Sequence, residues 1–151
     1  MKTLTKYIKN REAAIDFLLR KPRNKFTQNT YHKLRVEIKK LNSVFDLIRF
    51  YSTDFRRKKT YRPFKSIFRQ AGKIRELQIE AAMLKKYFRN NSTNDYEKHL
   101  KRLRLKGEED FFLLVNRKLL RQLKKKYSII LSYLSEIDKE TINTYLEKKK
   151  T

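Results

Sequence analysis

The stretch from Tyr31 to Ile48, YHKLRVEIKKLNSVFDLI, places Leu34, Ile38, Leu41, Phe45 and Ile48 at intervals of four, three, four and three. At about 100° per residue these side chains fall within a sector roughly 80° wide, which makes the segment a helix with one buried face. Thr27, Asn29 and Thr30 stand just ahead of the stripe. Each is suited to cap the helix, because a short oxygen-bearing side chain can accept from the unsatisfied N–H groups of a first turn. The helix is expected to run to about Ser52. His32, Arg35 and Lys39 occupy a second sector, roughly 60° wide, on the side away from the apolar stripe. Lys33 and Lys40 flank that sector, and Glu37 points elsewhere. Cations at i, i+3 and i+7 repel one another at steps of roughly 5 Å, and the same ladder suits successive phosphates of a polyanion.

Outward from this helix the chain keeps helical spacing. Leu4, Ile8, Ile15, Leu18 and Leu19 predict a first helix over about residues 4 to 20, stopped by Pro22. Arg56 to Lys59 reads as a basic connection. A third helix is expected to start near Pro63, with Phe64, Ile67, Phe68 and Ala71 inward, and to end or bend at Gly72. Ile74, Leu77, Ala81 and Leu84 mark a fourth, which leads to a polar break from Asn90 to Asn94. A long basic helix follows from about Asp95, with Tyr96, Leu100, Leu103, Phe111, Leu114 and Leu119 as its core candidates and Gly107 as a candidate kink. Ile129, Ile130, Tyr133, Leu134 and Ile137 mark a sixth helix. Asp138 is placed to cap a short seventh through Tyr145 and Leu146. The pattern predicts an all-α, antiparallel bundle of about six or seven helices, forming a single domain over residues 1–151.

Composition supports the same class. Two Gly and two Pro in 151 residues cannot supply the turns of a sandwich, a barrel or a glycine-rich nucleotide fold. With 40 Lys or Arg against 16 Asp or Glu, the formal net charge is +24, about three times what solubility asks of a small domain. A hydrophobic share of 39% is too high for a disordered basic tail. Basic and acidic residues interrupt the first twenty positions, so no signal-peptide core is read there, and the longest apolar run, Phe111 to Val115, is far too short to span a bilayer. The expected location is cytoplasmic, with no membrane partner.

Catalytic equipment is not visible. The sequence has no cysteine, no Gly-rich phosphate loop, no His-Glu-x-x-His and no nucleophile elbow, so no catalytic residue, metal ligand or cofactor is assigned. His99, with Leu100, Lys101 and Arg102, echoes His32-x-x-Arg35, a match that chance supplies easily in so basic a chain. The aromatics fall at apolar helical positions and are read as core rather than as a stacking platform for bases. The segment Gly72-Lys73-Ile74-Arg75-Glu76 has two readings. As the start of a fourth helix it would offer free N–H groups and a partial positive charge to an anion, or Arg75 and Glu76 would form an internal ion pair that positions a side chain.

Two segments carry a family resemblance. Tyr31-His32-Lys33-Leu34-Arg35-Val36-Glu37-Ile38-Lys39-Lys40-Leu41 resembles the His-x-x-Arg-Val signature of the conserved histidine α-helical domain, or CHAD, family. Gly72-x-x-Arg75-Glu76-Leu77-x-Ile79 is similar to that family's Gly-x-x-Arg-Asp-x-x-Val segment, with Glu for Asp and Ile for Val. The resemblance is strongest over residues 1–90. It implies an all-helical domain, one half or a shortened form of the family's paired four-helix bundles, that binds inorganic polyphosphate without turning it over. Carried over residue by residue, it implies that His32, Arg35, Lys39 and Lys40 contact polyphosphate, with Lys33 beside them and Lys73 and Arg75 in support. A second His-x-x-Arg helix, usual in the later half of the family's domains, is missing unless His99 serves. The chain is accordingly read as an excised first half, a naturally short member, or a protomer whose homodimer rebuilds the two-bundle surface. Association with polyphosphate granules follows from the same reading. Nucleic acid is the alternative ligand, because charge alone does not tell one phosphate polymer from another.

Overall fold

The computed structural model describes residues 2–88 and 94–150. It contains six α-helices: α1 (Lys2–Leu19), α2 (Gln28–Tyr51), α3 (Arg57–Tyr87), α4 (Asn94–Leu114), α5 (Arg117–Glu136) and α6 (Lys139–Lys150). A single turn of 3-10 helix, Arg23–Lys25, joins α1 to α2, and no strand occurs among the described residues. None of these helices is long and apolar enough to cross a membrane.

Local chemistry sets the boundaries. Thr27 and Thr30 cap α2 reciprocally: the Thr27 hydroxyl accepts from the Thr30 N–H at 3.4 Å, and the Thr30 hydroxyl accepts from the Thr27 N–H at 3.2 Å. Asn116 caps α5 through its side-chain oxygen, which accepts from the Leu119 N–H at 2.9 Å. Asp138 caps α6, accepting from both the hydroxyl and the backbone N–H of Thr141, and these two bonds hold its carboxyl below the usual range.

The stripe of α2 is the floor of the core, with Leu34, Ile38, Leu41, Phe45 and Ile48 all fully buried. α1, α3 and α5 pack around it to form a four-helix arrangement, while α4 lies against α3 and α6 against α2. Two cross-helix pairs give the α2–α3 direction. Arg57, at the start of α3, reaches Asp46 and Asn42 late in α2, and Gly72, further along α3, lies against Arg35 early in α2, so the two helices run antiparallel. α3 and α4 are antiparallel as well, because Gln70 donates to the Gly107 carbonyl while Tyr96 bonds Glu80. Phe26, Tyr31, Phe111 and Phe112 interlock in tilted and edge-to-face pairs between 4.9 and 5.6 Å, closing one end of the core.

Four expectations are corrected. α3 is unbroken through Gly72, so the expected third and fourth helices are one, and it begins at Arg57 with Pro63 six residues inside it. Gly72 and Gly107 both lie inside continuous helices, and neither has positive φ. Each sits where another side chain presses on the backbone: a Cβ at Gly72 would lie 3.3 Å from the Arg35 guanidinium carbon, and one at Gly107 3.3 Å from Ile74 Cγ1. The long basic helix stops at Leu114 rather than continuing to Leu119, which belongs to α5, and that helix starts well before Ile129. Tyr96 and Leu103, expected in the core, are exposed. Of the polar break from Asn90 to Asn94, residues 90–93 lie outside the described residues, and Asn94 opens α4.

Candidate functional site

His32, Arg35 and Lys39 lie on the flank of α2 that turns toward α3. His32 and Lys39 are exposed, but Arg35 is half-buried and does not stand on a free face. Its guanidinium carbon sits 4.4 Å from the centroid of the Phe68 ring, and the same group rests on the bare backbone of Gly72. Lys39 Nζ is 6.0 Å from the same ring. Phe68 and Gly72 are one turn apart on α3, so a single strip of that helix, an aromatic ring followed by a missing side chain, seats one arginine. Arg35 Nε is shielded from water and has no hydrogen-bond partner among the described residues. Held this way, the planar fork has lost much of its freedom before any ligand arrives.

This contact joins the two sequence segments, and neither reading of the second holds. Because α3 is continuous, the N–H groups near Gly72 belong to the interior of a helix and are not offered to an anion. Arg75 and Glu76 do not form an ion pair with each other among the described residues; neighbours in sequence diverge by about 100° on a helix. Arg75 is half-buried on the same flank as Phe68 and Gly72, and Lys73 is exposed further round α3.

The remaining expected residues lie elsewhere. Lys40 Nζ is 3.8 Å from Glu37, which also takes Arg11 of α1 at 3.0 Å. Lys33 and Lys40 therefore belong to the side of α2 that faces α1, not to the His32–Arg35–Lys39 flank. His99 is exposed on α4, 6.3 Å from the Tyr96 ring.

Sequence reading missed a second track beside the first. Lys58, Arg62, Lys65 and Arg69 recur at intervals of four, three and four along α3 and are all exposed. With Arg57 they line a groove of 560 Å³ that contains no carboxylate. Arg57 is already engaged, donating to Asp46 at 2.8 Å and to Asn42 at 2.9 Å. The other four make no ion pair among the described residues. The spacing was available in the sequence as a helical stripe. Reading Arg56 to Lys59 as a connection, and Pro63 as a helix start, hid its first two members, Lys58 and Arg62. On helical geometry the α3 stripe and the α2 flank open toward the same outer side of the α2–α3 seam, with Phe68 between them.

Among the described residues no three of His, Cys, Asp or Glu come together as a metal-binding group. Comparison with protein-family models, curated proteins and solved structures gives no match to this chain.

Proposed function

We propose that this protein binds inorganic polyphosphate without turning it over, along the seam where Arg35 and Lys39 of α2 lie beside Lys58, Arg62, Lys65 and Arg69 of α3. The observation that carries the reading is the carboxylate-free groove along α3, whose four exposed cations have no ion-pair partner among the described residues. Like charges at one-turn spacing raise the energy of the free protein, and a linear polyanion relieves that while releasing its own counterions. His32 and Lys73 extend the track at its α2 and α3 margins, and Arg75 supports the seat of Arg35. Lys33 and Lys40, turned toward α1, add only long-range potential. The likeness to two CHAD segments supports the same reading, and the contact of Arg35 with Gly72, one residue from each segment, supports treating them as a unit.

Competition tests this directly. A labelled 20-mer of DNA is displaced by long-chain polyphosphate at matched phosphate concentration and fixed salt, and the measurement is repeated on Lys65→Glu/Arg69→Glu. Polyphosphate should win on the native chain and lose most of its affinity on the double variant. If DNA holds its place at equal phosphate, the ligand is nucleic acid. If the double variant binds polyphosphate as the native chain does, the groove is not the site.

A further inference from the structure

A different part of the molecule collects cations under different conditions. Between the α2–α3 connection, the first turn of α3 and the second half of α5 lies a cavity of 810 Å³. Arg56, Lys59 and Lys126 project into it, and none of the three is in an ion pair among the described residues. Asp54 and Glu136 also line the cavity, yet neither comes within ion-pairing distance of these cations. Lys126 is half-buried, whereas the groove cations of α3 are exposed. Burial pushes its amine below the ordinary lysine range, and Lys59, Arg62 and Lys125 push it the same way. A lysine kept charged in that company needs an anion more than it needs water.

The rest of the lining says what the anion is attached to. Ser132 of α5 lines the cavity and offers a hydroxyl to a phosphate oxygen, whereas the Ser128 hydroxyl already donates to the Lys124 carbonyl at 3.2 Å. Tyr133 and Ile129 give the cavity an apolar wall, and the buried Phe55 backs Tyr133 edge to face at 5.2 Å. A lone phosphate ion would leave that wall unused, and the volume is that of a pocket for a small organic ligand.

We propose that this cavity is a second anion site, on the α5 side of α3 and sharing no lining residue with the seam groove, which takes a small phosphate monoester carrying a ring: the phosphate at Lys126, Lys59 and Arg56, the ring against Tyr133 and Ile129. The inference does not depend on what the seam binds.

Phenyl phosphate and inorganic phosphate are the probes, titrated by calorimetry into the full chain and into Lys126→Met, Lys126→Gln and Lys39→Met. Phenyl phosphate should bind about tenfold more tightly than inorganic phosphate, because the ring adds apolar contact of one to two kinds of side chain. Both Lys126 variants should weaken it about tenfold, the loss of one charge-assisted contact, and should melt no lower than the native chain. Lys39→Met should leave phenyl phosphate within twofold. The proposal is overturned if the two probes bind equally, if both Lys126 variants bind phenyl phosphate as the native chain does, or if Lys39→Met weakens it as much as they do. The last result would place the probe on the seam.

Discussion

On one side of α2, charges are paired; on the other they are left alone. Where α1 meets α2 and α5, Arg11 is ion-paired with Glu37 at 3.0 Å, Arg20 donates to Asp16 at 2.8 Å, and a cavity of 320 Å³ mixes Lys9, Lys124 and Arg20 with Glu12 and Asp16. Where α2 meets α3, a single carboxylate, Asp46, is taken up by Arg57, and the cations beyond it have none. The chain has 16 acids to set against 40 basic residues, so their placement is informative. Glu37 and Asp46 each stand where a second helix brings an arginine onto α2, and no acid lines the outward groove along α3, which is the distribution expected of a surface completed by an external anion.

The comparison breaks first at the seam. Lys39→Glu/Lys65→Glu/Arg69→Glu should lower polyphosphate affinity by on the order of a thousandfold at low salt, and the salt slope should flatten by about three units or more. The matched triple on the other side, Lys6→Glu/Lys9→Glu/Lys124→Glu, should cost less than about tenfold. Equal losses measured by fluorescence anisotropy would mean that net charge, and not the seam, drives binding.

The paired side is tested by stability. Arg11 and Glu37 are only 18% and 16% exposed at their side chains, so Glu37→Gln leaves a half-shielded guanidinium without its partner. A loss of about 2 kcal/mol is expected, between the value of an exposed pair and that of a buried one, with polyphosphate affinity unchanged. A denaturant melt indistinguishable from the native chain's would show the pair to be ornamental.

The two glycines sharpen the contrast further. Gly107→Ala gains about 1 kcal/mol of helix propensity but drives a methyl into Ile74, a fully buried side chain that cannot yield, and the net result should be a loss of about 1 kcal/mol. Gly72→Ala meets only the end of the Arg35 side chain, which can shift. It should leave stability equal or slightly higher while weakening polyphosphate severalfold, because the guanidinium leaves its seat. Arg35→Lys, which keeps the charge and loses the planar contact with Phe68, should weaken binding by a similar factor. If Gly72→Ala destabilises as much as Gly107→Ala, Arg35 is locked and is not a ligand.

The smallest effect is a matter of pH. Burial, helped by Asp16, raises the carboxyl of Glu12 above its ordinary range. Between the ordinary value and the raised one the folded chain holds more protons than the unfolded, so this group's contribution to stability falls as pH rises through that window. Lys126, lowered in the fold, acts in the opposite sense: its contribution rises with pH from its depressed value toward the ordinary lysine range. Glu12→Gln should remove that fall on the acid side and Lys126→Met the rise on the alkaline side, each by less than about 0.5 kcal/mol, because water screens both groups. Melts across the two ranges check the signs.

What could be read in the sequence was whatever depends on near neighbours along the chain. The helical class, the Thr27 and Asp138 caps and the five-residue core stripe of α2 are all matters of residues three or four positions apart, and a helix brings such residues together whatever surrounds it. Leu103 and Tyr96 obeyed the same spacing and still ended up outside, because only neighbouring helices decide whether an apolar stripe finds a partner. Gly72 and Gly107 show the limit more sharply. A bare Cα serves a helix end and a close crossing equally well, and the choice between them was made by Arg35 and Ile74, residues far away in the chain. The seam has the same origin. The sequence by itself determined two basic stripes, one on each of two helices. Only the antiparallel packing of α2 on α3 decided that they lie side by side, with Arg35 laid on Phe68 between them, since the relative rotation of two helices is set by the shapes at their contact and not by either helix alone.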